Sequence, residues 1–542
     1  MKKILKRALI LLLCAVFFAA CGTTEKSATG DSAQGETVAK SDKQAAKEQK
    51  KAAKEKEKAE KQKAQDKKKA GKSKEAKSGD YLAPIEAAVA AGEYEEAYTL
   101  LSDETVQGQL GSDDVYNIDA GMMKLYSNDL PAASQHLGAV ADMHKLNEKY
   151  ADADKVELST LLLDPYSQPY VTYDYEDLYS VIFNAVTKLK DPDTSEAAFQ
   201  DLKKIREMLL AMNQYRAILS EKIDKDMEEG SENETQQNAS PESEAEVFAD
   251  SALANYLALI YNKYNSDKEG DQKNFFYGQM EKAYGQKSYE GQSMPTIAKA
   301  ELDSVPAGKA RLNVLAMMGL MAEKKQKVVD VDTPLAAIEK KIQGVESIAA
   351  LGVGMDALLG IMTGGLADKT MHAKCTELID RANTNNAKSC IVTIGDQSLT
   401  LELVEDVNAI SKSCMAKNND FDLKRSKFRT TSRWVGAVAT YTATVYAANK
   451  KSAMLAAGAS IAAGKALDIA LDKIDEADMA DIRGVHYFPA QVQAGAIELN
   501  PGTYDVTIKF LDAAGKEIAS QTEKSVKVKA GQLNLLEVEC LK

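Results

Sequence analysis

The apolar residues of this chain change their spacing partway along, and that change limits what the chain can fold into. From Tyr81 to about Tyr289, Ala, Leu, Tyr and Met recur at three- and four-residue intervals, the period of amphipathic helices. After Pro489 the period becomes two. AIEL, TYDVTIKFLD, SVKVKA and LNLLEVECL read as strands, separated by Asn500-Pro501-Gly502, Ala513-Ala514-Gly515 and Ala530-Gly531-Gln532. Four short strands bury too little surface to stand alone, so they are expected to form a small antiparallel β-domain packed on the helices before them.

Within the helical part, Gly92, Tyr94 and Ala97 look like the turn and second-helix start of a tetratricopeptide repeat. A related pattern recurs with Gly121, Ala133, Leu137 and Val140, and Ala97 to Ala133 is close to that repeat's period of roughly 34 residues. The expected fold class is therefore mainly α: tetratricopeptide-like hairpins, then a helical region, then the small C-terminal antiparallel β-domain. The expected divisions are a signal peptide at 1–20, a lipidated cysteine with a Lys/Ala/Glu-rich spacer at 21–80, helical hairpins at 81–300, a helical region with Gly/Ala-rich segments at 301–488, and the β-domain at 489–542. The acidic stretch from Met227 to Glu246 is expected as a loop between helices. The Gly-rich apolar run Val345 to Leu366 has Asp356 near its centre, which argues against a membrane span.

The N-terminus states where the chain works. A basic start (Lys2, Lys3, Lys6, Arg7) leads into the apolar run Ala8 to Phe18 and then small residues, the layout of a secretory signal. Ala19 and Ala20 before Cys21 resemble the bacterial lipobox, whose cysteine is lipidated, and Gly22 lacks the aspartate of an inner-membrane retention signal. An outer-membrane lipid anchor facing the periplasm is expected, with Cys21 as the modified residue. Acyl chains on that cysteine would hold firmly, since each buried CH₂ contributes about 0.8 kcal/mol. Residues 38–80 carry 16 Lys against 8 Asp plus Glu, whereas the whole chain is at −13. This basic tract reads as a partly helical spacer beneath an acidic body, with anionic lipid or peptidoglycan carboxylates as its electrostatic alternatives. No nucleic-acid partner is expected.

Of six cysteines, Cys14 and Cys21 belong to the signal and the lipid site, leaving Cys375, Cys390, Cys414 and Cys540. In an oxidising compartment a Cys375–Cys390 bridge would contribute about 3 kcal/mol, although spacing alone does not fix pairing. Only four histidines occur, His136, His144, His372 and His486, and no H-E-x-x-H, G-x-S-x-G or G-x-x-x-x-G-K-[ST] is present. Cys375 with His372 is the only close nucleophile and base pair, without a visible third partner. No enzyme activity, metal or cofactor is expected.

Leu399 to Ile410, Phe428 to Tyr441 and Ala477 to Ile508 are similar to a widespread bacterial lipoprotein family without an assigned function, most specifically at Asp481, Arg483, Pro489 and Pro501-Gly502-Tyr504. His486 stands where that pattern commonly has Trp. The resemblance implies an envelope protein with a tetratricopeptide-like N-terminal half and a C-terminal helical and β region. From the residues alone, Arg483 either pairs with Asp478 or Asp481 to pin the helix-to-sheet junction or receives a carboxylate through its planar fork. Stacked hairpins leave a concave surface, and Tyr166, Tyr170, Tyr173, Tyr175 and Tyr179 would furnish contact area on it. The expected role is a membrane-anchored scaffold for another envelope protein. The alternative is a cell-wall or small-ligand binding module that uses the C-terminal region, and a hydrolase ranks third.

Overall fold

A computed structural model describes residues 81–228, 248–331, 370–382, 384, 386–449, 467 and 469–542. Cys21, the spacer, the acidic loop beyond Glu228 and the Gly-rich run 345–366 lie outside the described residues. The main folded unit runs from Pro84 to Lys542.

Helices come first: α1 (Leu82–Ala91), α2 (Tyr94–Leu101), α3 (Glu104–Leu110), α4 (Asp113–Tyr126), α5 (Leu130–Val140), α6 (Met143–Ala151), α7 (Leu158–Leu161), α8 (Asp174–Leu189), α9 (Ser195–Glu228), α10 (Ala252–Glu269), α11 (Lys273–Tyr284) and α12 (Thr296–Ala300). Side-chain caps start several of them. The Ser112 hydroxyl accepts from the Val115 amide at α4, and Asp129 accepts from the Ala132 amide at α5. Gly121 permits the close crossing of these two helices, because a Cβ there would stand 2.6 Å from Leu137 Cγ. Gly121 and Leu137, read in the sequence as small and packing positions, lie against each other here.

The expected helical region at 301–488 is overturned. Strands β1 (Ala310–Leu320), β2 (Glu323–Val331), β3 (Met371–Ile379), β4 (Ser389–Ile394), β5 (Gln397–Thr400) and β6 (Glu402–Asp406) precede the long helix α13 (Val407–Asn449). The C-terminal strands β7 (Pro489–Leu499), β8 (Gly502–Leu511), β9 (Glu517–Val528) and β10 (Asn534–Cys540) fall where the period of two predicts them. They do not form a domain of their own. Among the described residues three sheets result: β10-β1-β7-β6, the hairpin β2-β3, and β5-β4-β8-β9. With 22% of the chain in strands, the fold is mixed α and β rather than mainly α. The expected mainly α class with a small C-terminal antiparallel β-domain is therefore incorrect, and β10 runs parallel to β1, Leu312 opposite Asn534.

The two four-stranded sheets pack face to face. Leu312, Val314 and Met318 from β1 meet Val392 and Ile394 from β4 and Val506, Ile508 and Phe510 from β8. Each such buried side chain contributes about 1.5 to 3 kcal/mol. The helices cover the other face of the β1 sheet, so β1 is buried along its whole length. Its ARLNVLAMMGL carries no alternation for that reason: a central strand covered on both faces reads as a continuous apolar run.

Buried polar links tie the layers. Glu405, fully buried at a bulge in β6, accepts from Tyr179 Oη, Tyr289 Oη, Ser251 Oγ and the Leu253 amide, each at 2.8 Å. Burial pushes its carboxyl above the usual range against those donors. At the opposite edge, burial with Glu523 and Glu537 nearby pushes Glu539 on β10 up to about 8. As pH rises from 4.5 towards 8, the unfolded chain releases this proton before the folded one does, so stability falls across that window. Glu539→Gln is expected to remove the fall and stabilise the protein by about 1 to 3 kcal/mol above it, with little effect at pH 4. Chemical denaturation at the two pH values checks this.

Candidate functional site

The start of α8 brings four ionisable groups to one place. At its N-terminus the Glu176 carboxylate reaches back to accept from the amide of the N-cap residue Tyr173 at 2.8 Å. Asp174 takes a two-pronged contact from Arg216 of α9, Nε at 2.8 Å and Nη2 at 2.7 Å. Asp177 accepts from Lys149 Nζ and Tyr150 Oη, both at 2.5 Å, and from Thr172 Oγ1 at 2.6 Å. Burial still raises its carboxyl despite Lys149 beside it.

Facing them is one side of α13. Asp422, Arg425, Ser426 and Arg429 recur at i, i+3, i+4 and i+7 and so share a face. Asp422 accepts from Tyr173 Oη at 2.9 Å, and burial raises its carboxyl. Arg429 donates to Asp478, which also accepts from Ser426 Oγ at 2.6 Å. From β3, Lys374 Nζ donates to the backbone carbonyls of Asp475 and Asp478. Arg425 Nε reaches the Leu161 carbonyl at 3.3 Å. Burial and the neighbouring Arg429 lower its pKa below the usual arginine value.

Between these elements lies a cavity of about 260 Å³, lined by both polar and apolar groups. Its cations are Lys149, Arg216, Lys374, Arg425 and Arg429, with Tyr150, Tyr173 and Tyr215 among them. Lys149, Arg216 and Arg429 are held by Asp177, Asp174 and Asp478. Arg425 and Lys374 differ: among the described residues, no carboxylate lies within salt-bridge distance of either.

The residues singled out in the sequence divide. Asp481 and Cys375 line the cavity. Arg483 takes its structural role, clamping Asp481 (Nε to Oδ1 2.9 Å, Nη2 to Oδ2 2.8 Å) and donating to the carbonyls of Pro165 at 2.8 Å and Gln168 at 3.1 Å. Its guanidinium also lies 5.0 Å from the Tyr166 ring centroid. Asp478 belongs to Arg429 instead. Cys375 and Cys390 are free, buried thiols on strands of different sheets, as Cys414 and Cys540 are free and buried elsewhere. His372 and Cys375 point to opposite faces of β3, because a separation of three reverses the side on a strand. His372 faces Asp475 and Asp330 instead, and burial with Asp422 near pushes the Cys375 thiol up to about 11. Neither fits an activated nucleophile.

Sequence reasoning missed Asp422, Arg425 and Arg429. The available signal was their helical spacing in FDLKRSKFR. Among the described residues no group of three His, Cys, Asp or Glu is placed to hold a metal ion, and no helix is long and apolar enough to cross a membrane. Comparison with protein-family models, curated proteins and solved structures returned no match to this chain.

Proposed function

We propose that this chain is a lipid-anchored envelope protein whose folded part receives a small anionic molecule in the cavity lined by α6, α9, α13 and β3. The supporting observation is the pair Arg425 and Lys374, two cations that line the cavity without a salt bridge to a carboxylate among the described residues, Asp422 and Asp481 acting on Arg425 only at longer range. Neither part-buried cation is in direct contact with a carboxylate, and an incoming carboxylate or phosphate would take strong charge-assisted hydrogen bonds from them. The tyrosines that motivated a protein-binding groove do not support that reading equally. Tyr170, Tyr173, Tyr175 and Tyr179 are buried among the body's own residues. The lipid anchor at Cys21 and the outer-membrane location rest on the lipobox-like sequence.

Isothermal titration of the full chain in lipid nanodiscs with acetate, phosphate and butanoate tests the proposal, with empty nanodiscs as blank. At least one anion is expected to bind with one-to-one stoichiometry, and Arg425→Met to weaken it at least tenfold, the loss of one charged contact (about 1.5 to 3 kcal/mol). No binding by any of them, or binding indifferent to Arg425→Met, would remove the basis for this function.

A further inference from the structure

Exposed apolar side chains gather beside the cavity, whose lining carries five cations together with the carboxylates Asp422 and Asp481. Leu163, Tyr166 and Val171 come from the loop after α7, and Met479 and Ile482 from the segment after Asp478; each is at least 37% exposed, Val171 reaching 62%. These two short segments supply five of the ten exposed large hydrophobic side chains among the described residues. Val171 and Met479 line the cavity directly. Leu163 is fixed beside it by Arg429, whose Nη1 donates to its carbonyl at 3.5 Å, and Ile482 by the contact of its amide with Tyr166 Oη at 3.4 Å. Scattered surface hydrophobics need no explanation, but a concentration at the mouth of a pocket marks contact with an apolar partner.

Resting on the reading of the cavity as an anion receptor, we infer that its ligand is a free single-chain carboxylate whose acid group meets Arg425 and Lys374 and whose hydrocarbon chain lies across Val171, Met479 and their neighbours. Charge complementarity sets the head, and the rim sets the tail. An extended peptide fits less well, because the backbone it would pair with is occupied. On β3 the His372 amide donates to Asp475 at 3.1 Å and the Lys374 amide to Ser426 Oγ at 3.0 Å. In the loop, Arg425, Arg429 and Arg483 already take the carbonyls of Leu161, Leu163, Pro165 and Gln168.

The test titrates the full chain in nanodiscs with butanoate, hexanoate, octanoate and decanoate, subtracting empty nanodiscs, and adds decanol as a neutral comparator. Affinity is expected to rise about fourfold for each two added carbons, which corresponds to partial burial of each CH₂. Decanol is expected to bind at least tenfold more weakly than decanoate. The double variant Val171→Ser with Met479→Ser, at exposed positions where folding is not at stake, should flatten the chain-length dependence. A flat dependence with butanoate still bound through Arg425 overturns this inference and leaves the anion receptor standing. Decanol binding as well as decanoate also overturns it, the rim then being a general apolar contact. Silence of every carboxylate here, and of phosphate in the titration above, removes the receptor reading as well.

Discussion

Replacing Lys324 with methionine is expected to destabilise the protein by about 3 to 5 kcal/mol, because it leaves a buried carboxylate without its counter-charge. Lys324 Nζ lies 2.8 Å from Glu176 Oε1 and donates to the Arg483 carbonyl at 2.9 Å; the two side chains are only 4% and 0% exposed. The ammonium also sits against the rings of Tyr173 at 4.1 Å, Tyr170 at 4.7 Å and Tyr175 at 5.6 Å. Burial would raise the Glu176 carboxyl, but Lys324 outweighs it and holds the group below its usual value. Gly484 makes room for the pair: a Cβ there would stand 2.5 Å from Lys324 Nζ and 2.6 Å from Glu176 Oε1. Adding Glu176→Gln to the Lys324 variant removes the stranded charge and should recover part of the loss. Denaturant melts of the two single variants and the double variant measure this coupling. A double variant as unstable as the sum of the singles would mean that the two groups do not act as a pair.

Asp478→Asn should cost a similar amount, about 3 to 5 kcal/mol, for a related reason. Asp478 is fully buried and neutralises Arg429, itself 2% exposed, while its backbone carbonyl receives Lys374 at 2.6 Å. An amide cannot balance the guanidinium, and its NH₂ would face another donor if turned the wrong way. Pairing the change with Arg429→Met should restore much of the stability, read in the same melts. Because Asp478 also orders the wall that carries Lys374, the single variant is expected to bind butanoate less well even under conditions where it remains folded.

These buried pairs explain what could and could not be seen in the sequence. Helical spacing located the N-terminal helices, while the contact of Gly121 with Leu137 emerges only in the structure. Period two located β7 to β10, because Val506, Ile508 and Phe510 turn inward while their neighbours stay wetter. The partners of those strands were invisible. β10 lies beside β1 and β8 beside β4, pairings between segments far apart in sequence, for which local periodicity has no signal. β1 gave no alternation because both its faces are covered, and the charged EKKQKVVDV of β2 does not resemble a strand until β3 is set against it.

The site was legible only in fragments for the same reason. Asp481 and Arg483 were visible as a junction, and the structure makes them one, with Arg483 fastening the loop at Pro165 and Gln168. The cavity itself draws on α6, α9, α13, β3 and two loops. A single segment shows charged residues at helical spacing, which ordinarily means a solvated face. Only the fold reveals that the Arg425 face of α13 looks onto a cavity.

Anomalous diffraction from crystals soaked with 4-bromobenzoate tests the central claim most directly, since the carboxylate is the proposed head and the bromine reports where the apolar end lies. The predicted result is one strong bromine peak over Val171 and Met479, with the carboxylate bonded to Arg425 and Lys374. Bromine peaks confined to other surfaces, with ordered water alone beside Arg425, would contradict it.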